Sequence, residues 1–480
     1  MIVSNFDRNH VVFSMSALLG IGYGAWHFYY NSHQQRHAKR QYPPLCSAGV
    51  METVDAITNG GIKDFMLRYF EKFGRIFRIP LPLPGLPMVV VVADTEDARA
   101  IYRDPTTTKP EILYKAMASF SSGHSISSLS EGDDWFHRRK GVNPAFAPKH
   151  VRRMNEVAMQ VVTEWAQEKL KPLEYSESVS FDVGEEMIDM TLSVICEAAF
   201  DYRISADEMA SLLVDMRQAW IEFTMKSAMN PLRQFITWLL PERQRAFRSA
   251  KNLQRFAFVV MKNYKENPSP TPETVLDMIM KNQNYQSDDE RASDIVMILF
   301  AGHDTTGYTL ALALRELAKN PDEQKRLRQS LSDTEQQPDS YLKAVISETM
   351  RVYPIVPVTG FKLMGRDWIT QYRGYLIPKG SIVFISQIAI TRDARIFDNP
   401  TAFQPSRWLQ PSEQAKRALF PFSLGNRNCA GQALANAEIN SVLPYLVKNF
   451  DFSVALEGEV LSAATVELKN CWITATKLIT

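Results

Sequence analysis

Cysteine is scarce in this sequence: only Cys46, Cys196, Cys429 and Cys471 occur among 480 residues. They are widely separated and form no C-x-x-C pair, so neither a disulfide framework nor a zinc site of the usual spacing is predicted. So few cysteines in so long a chain fit a reducing compartment. Cys196 and Cys471 have apolar neighbours and are predicted to be buried packing thiols.

The sequence also lacks an excess of charge of either sign. It carries 54 Lys and Arg against 53 Asp and Glu, a formal net charge of +1, and it has no basic arm interleaved with aromatic residues. A nucleic-acid-binding function is therefore not predicted. Internal repeats and long low-complexity linkers are absent as well. With 45% apolar residues, the composition predicts one large globular domain rather than a disordered chain.

One long apolar run lies near the amino terminus, where residues 11–30 read VVFSMSALLGIGYGAWHFYY. Twenty helical residues rise about 30 Å, the thickness of a bilayer core. Arg36, Lys39 and Arg40 follow, so the positive-inside rule places the body in the cytosol. A cleaved signal peptide is disfavoured by the bulky WHFYY end, and a buried core helix by the terminal position. We predict a luminal segment (1–10), a transmembrane anchor (11–30), a basic, proline-containing hinge (31–44) and one domain (45–480).

The body is predicted to be mainly α-helical with minor β-structure. Residues 76–94 are rich in β-branched residues and proline, which is typical of short strands. A long helix is predicted from the S-x-x-E capping box at Ser287 to Lys319. Its middle, residues 302–307 (GHDTTG), interrupts an apolar stretch with polar side chains. This interruption indicates a widened turn, a water or a ligand, or else hydroxyl groups that bond ordinarily to the helix backbone.

A cysteine loop near the carboxy terminus carries the clearest chemical pattern. It contains Phe422, Gly425, Arg427, Cys429 and Gly431 in the spacing F-x-x-G-x-R-x-C-x-G, followed by a helical stretch. Amide groups at a helix start stabilise a thiolate, and glycine permits a tight turn and close approach of the chain. Arginine supplies a cation that can meet a buried carboxylate, and phenylalanine supplies an apolar wall beside the sulfur.

The cysteine loop resembles the haem-binding loop of the cytochrome P450 family. The resemblance implies a P450-like single large domain after the anchor, with haem b bound and Cys429 as the axial ligand of the haem iron. It also implies a buried ion cluster behind the haem, because E-x-x-R occurs at Glu348 and Arg351 and a P-x-R-W segment supplies Arg407.

Two further segments match the family in the expected order. Residues 301–306 (AGHDTT) resemble its oxygen-activation motif, which implies that Ala301 lies at the haem, that Thr305 positions a proton and that Asp304 helps deliver it. His303 occupies a variable position and is not predicted to bind iron. The W-x-x-x-R match implies that Trp135 and Arg139 contact a haem propionate.

Two departures from the family pattern stand out. The family commonly has a second propionate-binding arginine after Pro354, but the alignment places Phe361 there, with Lys362 beside it. That contact is left unassigned. Pro444 lies inside the helix expected after Cys429, so a kink or an early helix end is predicted.

The resemblance implies an oxidoreductase that inserts one oxygen atom from O2 into a lipophilic substrate, such as a fatty acid, sterol, terpenoid or xenobiotic. Neither a flavin nor a nicotinamide fingerprint is present. NADPH is therefore expected to act indirectly, through NADPH–cytochrome P450 reductase, with cytochrome b5 as a further candidate donor at the endoplasmic reticulum membrane. A P450-type isomerase or dehydratase and a non-catalytic haem-binding protein are the alternatives. A local basic patch is predicted to dock the donor, and it comprises His137, Arg138, Lys140, Lys149, Arg152 and Arg153.

Overall fold

A computed structural model describes residues 41–80, 87–174, 177–227, 230–267, 274–332 and 339–478. The predicted luminal segment, the transmembrane anchor at 11–30 and most of the hinge lie outside the described residues. Inside the described ranges the chain is mainly helical with minor β-structure, as the sequence predicts.

Sixteen α-helices form within the described ranges. They are α1 (Val50–Thr58), α2 (Ile62–Phe73), α3 (Thr95–Arg103), α4 (Glu111–Phe120), α5 (Asp133–Val142), α6 (Pro148–Lys169), α7 (Val183–Phe200), α8 (Ala206–Trp220), α9 (Pro241–Glu266), α10 (Val275–Lys281), α11 (Asp288–Lys319), α12 (Pro321–Ser332), α13 (Asp339–Val352), α14 (Gln387–Thr391), α15 (Glu413–Ala418) and α16 (Gln432–Asn449). A π-helical segment (Ile221–Lys226) extends α8, and a 3₁₀ segment (Pro231–Leu239) precedes α9.

The strands are short and build four small sheets in the described chain. They are β1 (Ile76–Ile79), β2 (Val89–Val92), β3 (Val179–Asp182), β4 (Val358–Leu363), β5 (Trp368–Ile369), β6 (Leu376–Ile377), β7 (Ile382–Ser386), β8 (Phe450–Leu456), β9 (Glu459–Ser462), β10 (Val466–Lys469) and β11 (Trp472–Lys477). The largest sheet has the order β1-β2-β7-β4, with β2 and β7 parallel and the other pairs antiparallel. The strands predicted within 76–94 are confirmed as β1 and β2.

Helix α11 crosses the interior of the domain. Ser287 caps its start by accepting the amide of Glu290, and the helix ends at Lys319 as predicted. Among the described helices, it alone is long and apolar enough to span a membrane, but most of its apolar window is buried inside the protein, as in a core helix. It packs against α7, where Gly302 and Gly307 are required: an added Cβ would lie 2.7 Å from the Ile195 side chain or 2.8 Å from that of Ile188.

Two sequence predictions about packing have clear outcomes. Cys196 and Cys471 are buried, which confirms their packing role. Helix α16 does not end early, because it continues through Pro444 to Asn449. The prediction of an early end is therefore wrong. The burial of Leu443, Leu446 and Val447 around the proline explains why packing holds the helix together despite the missing backbone donor.

Candidate functional site

The cysteine loop is a tight backbone structure that precedes α16. The amide of Cys429 donates to the carbonyl of Phe422 at 2.9 Å, and Asn428 donates to the carbonyl of Gly425 at 3.2 Å. Gly425 has φ +78° and an added Cβ would clash with the carbonyl oxygen of Tyr102. Only glycine suits this position, because the backbone is left-handed and the neighbouring chain is too close for a side chain.

The Cys429 thiol lies at the start of α16, for which Gly431 is the N-cap residue. Its side chain has accessible surface, yet the surrounding protein is dense enough that burial raises the pKa of the thiol. Both observations hold together if the sulfur faces a space inside the protein. The amide of Gly431 and the charge of Arg139 act in the opposite direction and lower the pKa of this thiol. They are the groups available to stabilise a thiolate.

Arg427, within the cysteine loop, and Arg139, on α5, belong to a charged cluster close to Cys429. The guanidinium of Arg427 lies 3.6 Å from the centre of the Trp135 ring, and its Nε is 3.2 Å from Oε1 of Glu131. Arg427 therefore meets a carboxylate, as the sequence suggests. Arg139 donates to the carbonyl of Asn428 at 2.9 Å, which ties α5 directly to the residue before Cys429.

Two lysines that no motif singled out as ligands join the cluster. Lys109 donates its backbone amide to Oε2 of Glu131 at 2.8 Å, and Nζ of Lys362 lies 3.8 Å from Oε1 of Glu131. Burial and the nearby charge of Arg427 lower the pKa of Lys109 to about 7, and burial also lowers the pKa of Lys362. Sequence reasoning missed Lys109 and Glu131 because a single Lys or Glu in a loop carries no spacing signal.

Glu348 is the fully buried centre of a second ion cluster. Arg351 donates Nε and Nη2 to its two oxygens, each at 2.8 Å, and Arg407 donates Nε at 3.0 Å. The indole of Trp408 and the amide of Gln404 add two more bonds, both at 2.8 Å. Burial alone would raise the pKa of Glu348, but hydrogen bonds from Arg351 and the two guanidinium charges hold the pKa of this carboxyl below its ordinary value. The motif predicted Arg407 as a partner of Glu348 but did not predict that Gln404 and Trp408, in and beside the same segment, also donate to it.

The middle of α11 presents two different polar sides. Ala301 and Thr305 are four residues apart and therefore share one side of the helix. The side chain of Ala301 is exposed although its helix lies in the core, so this side also faces a space inside the protein. Oγ1 of Thr305 donates to the carbonyl of Ala301 at 3.0 Å. The helix stays regular here, which matches backbone-bonded hydroxyl groups rather than a widened turn.

Asp304 belongs to the neighbouring side of α11, about 100° around the helix axis from Thr305. With Phe300 and Tyr308 it lines a polar cavity of about 850 Å³ between α7, α8 and α11. Burial raises the pKa of the Asp304 carboxyl to about 7, while a hydrogen bond from Thr465 lowers it. Its Oδ2 has no hydrogen-bond partner in the described part of the chain. The Asp304 carboxyl and the Thr305 hydroxyl are therefore adjacent in sequence but point to different sides of α11.

The imidazole of His303 is buried and is hydrogen-bonded within α11. Its ring bonds to the carbonyl of Leu299 at 2.9 Å, and burial lowers the pKa of the imidazole to about 4. The ring lines the same polar cavity as Asp304 and is neutral at physiological pH.

The predicted basic patch is only partly a surface feature. Arg138 is 2% exposed and is bound by Asp134 at 2.7 Å and Glu290 at 2.8 Å, so its assignment to the patch is wrong. Arg153 pairs with Asp201 at 2.6 Å. His137, Lys140 and Arg152 remain exposed. The error arose because sequence shows that Arg138 is basic but not that α5 turns it inward; the side chain of Lys149 lies outside the described set.

These residues fit a haem. Cys429 offers an accessible sulfur, and Ala301 and Thr305 offer the exposed side of a core helix. Arg139, Lys362 and Arg427 give three cationic groups, and Lys109, whose pKa is lowered to about 7, is a fourth basic group. Among the described residues, Glu131 is the one carboxylate paired with the side chains of this cluster. A half-buried excess of positive charge is costly unless anions compensate it, and the two propionates of haem would supply that compensation.

Comparison with known proteins agrees with this geometry. The sequence model of the family described as "Cytochrome P450" matches residues 43–466. A probable cytochrome P450 4s3 from Drosophila melanogaster is 27% identical over 449 residues, covering 87% of this chain and 87% of the relative. Cytochrome P450 1A1 from Canis lupus familiaris is 27% identical, covering 81% and 80%. Mitochondrial sterol 26-hydroxylase from Rattus norvegicus is 25% identical, covering 71% and 69%. Because the family match spans most of the sequence and carries every motif of the site, this chain belongs to the cytochrome P450 family, whose members are haem-thiolate monooxygenases.

Proposed function

We propose that this protein hydroxylates a lipophilic substrate with Cys429 as the thiolate ligand of haem b. The observation that carries the proposal is the accessible Cys429 thiol beside a cluster of two arginines and two lysines with one carboxylate. Haem, when bound, supplies the redox chemistry that activates dioxygen. The Cys429 thiolate would donate electron density to the haem. The balanced reaction takes substrate, O2, two electrons and two protons to hydroxylated substrate and water.

The first contribution of the protein is to hold the side chains that would bind haem in a fixed orientation. Trp135 and Arg427 stack at 3.6 Å, and Arg139 is tied to the loop of Cys429. These contacts hold cationic and indole donors for a propionate in a fixed relation to the sulfur. Phe422 and Gly425 keep the loop in place, since the Phe422 carbonyl accepts the Cys429 amide and Gly425 allows the turn.

Thr305 and Asp304 act at different steps of proton transfer. Thr305 lies on the exposed side of α11 with its hydroxyl bonded to the carbonyl of Ala301, so a small rotation presents its proton to the space beside that residue. Asp304 borders the polar cavity, whose lining also includes the acidic side chain of Glu467. Asp304 would take protons from this cavity and pass them toward Thr305.

Replacing Thr305 by valine tests the proton-positioning role. The variant keeps the shape of the side chain but loses the hydroxyl, so the yield of product per O2 consumed is expected to fall by roughly tenfold to a hundredfold, at the lower end of what a positioned proton donor contributes. Thr309→Val is the matched control, because its hydroxyl also bonds to a helix carbonyl, at 2.7 Å, but is buried. Equal yields of product per O2 from the two variants would contradict the proton-positioning role of the Thr305 hydroxyl.

The pH dependence of product yield tests Asp304. Because burial raises the pKa of its carboxyl to about 7, the group is a proton donor below that pH and loses its proton as the pH rises through it. The yield per O2 is therefore expected to decline between roughly one pH unit below and one above that value. Asp304→Asn should give a low yield with no such decline. A variant profile that still falls over the same interval would assign the titration to another group.

We further propose that electrons arrive from NADPH–cytochrome P450 reductase, with cytochrome b5 as a second donor. Helix α5 supports this assignment, because its inner residues Trp135 and Arg139 reach the Cys429 loop while its outer side exposes Phe136, His137 and Lys140. A partner on that outer side would be one helix away from the cofactor. The cationic groups suit an acidic partner surface.

Charge reversal on α5 and α6 tests the docking surface. Lys140→Glu combined with Arg152→Glu should slow reduction by the reductase about tenfold at low salt, since complementary charge accelerates encounter by that order or more. The difference from wild type should shrink as salt rises. Lys477→Glu, an exposed lysine on β11, is the control. Reduction kinetics that the double variant leaves unchanged would place the docking surface elsewhere.

A single-pass position in the endoplasmic reticulum membrane, with the domain in the cytosol, completes the proposal. The apolar run at 11–30 contains neither Arg nor Lys, unlike the Arg-rich amphipathic presequences that direct proteins to mitochondria. In the folded domain, the 3₁₀ segment before α9 exposes Phe235 at 71% and Trp238 at 73%. Exposed aromatic residues of this kind suit a membrane interface. Carbonate-resistant membrane binding that is lost on deleting residues 1–40 would support the anchor.

Substrate-dependent consumption of NADPH and O2, measured with a reductase and with product analysis, tests the function as a whole. A monooxygenase consumes both and releases hydroxylated product. An isomerase or dehydratase of the same family converts substrate with neither, and a haem-binding carrier converts nothing. The sterol 26-hydroxylase named above has a sterol in its name, and we infer that residues 117–129, residues 216–235 and the stretch after Pro354, which are largely apolar, recognise the substrate. Sterols and fatty acids are therefore the first compounds to screen for binding-induced spectral shifts.

A further inference from the structure

Strand β4 contains one extra residue, and this residue interchanges the sides of the sheet on which Phe361 and Lys362 lie. Thr359 pairs with Ile385 and Lys362 pairs with Val383, so three steps on β4 match two steps on β7. Gly360 lies in this bulge with φ +62°, where an added Cβ would be 2.9 Å from the side chains of Ile385 and Tyr102. A bulge of this kind moves every following side chain to the opposite side of the sheet.

The interchange is visible in the contacts. Phe361 packs against Phe384, with ring centres 4.7 Å apart, which places it on the side of the sheet away from Val383. Lys362, paired with Val383, shares the side on which Thr359 bonds to the Tyr102 hydroxyl. In an unbulged strand, Phe361 would occupy the position beside Val383. The extra residue gives that position to a lysine.

Lys362 is a buried basic group with one distant carboxylate partner, which it shares with Arg427. It is 4% exposed, and its nearest carboxylate oxygen, on Glu131, is 3.8 Å away and already bonded to Arg427 at 3.2 Å. At 3.8 Å the ammonium does not make a hydrogen bond to it. An ammonium has three donors, and none of them reaches a hydrogen-bond acceptor within the described part of the chain. Burial therefore lowers the pKa of this lysine, and an additional anion within hydrogen-bond distance would stabilise its charged form.

We propose that Lys362 binds a haem propionate, and that the Gly360 bulge is the feature that brings it there in place of the aligned Phe361. The proposal rests on the haem binding proposed above. It assigns to a lysine, reached through an inserted residue, a contact that the alignment leaves without a cation. Glu131 then serves to hold Arg427 and Lys362 near each other, since its Oε1 is the carboxylate oxygen paired with both.

Haem loss tests the proposal without any measurement of turnover. The rate of haem transfer to apomyoglobin is compared for the wild-type holoprotein and for Lys362→Met, with Lys362→Gln as a second neutral variant and Phe361→Leu as the control. A charge-assisted hydrogen bond of about 1.5–3 kcal/mol corresponds to a rise of roughly tenfold to a hundredfold in the rate of loss. Lys362→Arg, which keeps the charge, should stay near the wild-type rate, as should Phe361→Leu.

The same proteins reconstituted with haem dimethyl ester provide the decisive comparison, because its propionates carry no charge. Wild type and Lys362→Met should then lose the ester at equal rates. An unchanged rate with native haem, or an equal effect with haem and its ester, would show that Lys362 acts only on the fold and would overturn the proposal. Failure of the haem proposal itself would look different, since the wild-type protein would then hold neither compound.

Discussion

Substitution of Cys429 by serine is expected to abolish the thiolate-type carbon monoxide spectrum of the reduced holoprotein, together with all monooxygenase activity. The sulfur supplies electron density that a serine hydroxyl, which stays protonated near neutral pH, does not. The fold should persist, because the Cys429 side chain is exposed rather than packed in the core. The loop is held by backbone bonds that serine keeps, in particular the 2.9 Å bond between the amide of residue 429 and the carbonyl of Phe422.

The control for this experiment is a cysteine elsewhere in the chain. Cys46 is buried at the edge of another part of the core, so Cys46→Ala should lower stability slightly yet leave the spectrum unchanged. Circular dichroism and haem content separate loss of the ligand from loss of the fold. A serine variant that keeps the thiolate-type spectrum would refute the assignment of Cys429, since none of the other three cysteines has an exposed side chain.

Sequence spacing predicts the turn around Cys429 but not the contacts between distant segments, and both outcomes share one physical cause. Motif spacing encodes what neighbouring residues do for each other along the chain, as in the turn at Gly425 and the shared helix side of Glu348 and Arg351. It contains no information on contacts between distant segments. Glu131, which connects Arg427 with Lys362, is about 300 residues from the first in sequence and was therefore not predictable from any local pattern.

The direction in which a side chain points was the second property that the sequence did not determine. The motif at 301–306 predicts an acid and an alcohol side by side, but the rotation of α11 against α7 and α8 directs Asp304 to the polar cavity and Thr305 to the exposed side. Arg138 was misassigned for a similar reason, since its basic character says nothing about the Asp134 and Glu290 side chains that bury it. At Lys362, a single inserted residue reverses the inward and outward side chains of a strand.

Substitution of Glu348 by glutamine is expected to destabilise the protein more than any other change to the ion clusters. The carboxyl is fully buried and accepts five hydrogen bonds, three of them from Arg351 and Arg407. Glutamine has nearly the same shape, so the change removes charge rather than volume. It leaves two guanidinium groups, one of them completely buried, without a counter-charge. Breaking such a pair costs about 3–5 kcal/mol, and the free energy of unfolding measured by urea titration should fall by that amount.

The pH dependence of this loss identifies its cause. Because the hydrogen bonds and charges of the two arginines hold the pKa of Glu348 below its ordinary value, its charge stabilises the fold above the ordinary glutamate pKa, and that contribution disappears as the pH falls through the folded-state value. The stability difference between wild type and Glu348→Gln should therefore be largest near neutral pH and shrink in acid. Glu413→Gln, which removes an exposed partner of Lys416, should produce no measurable change. A loss at Glu348 that stays constant down to acidic pH would point to altered packing, because the protonated carboxyl and the amide would then differ only in shape.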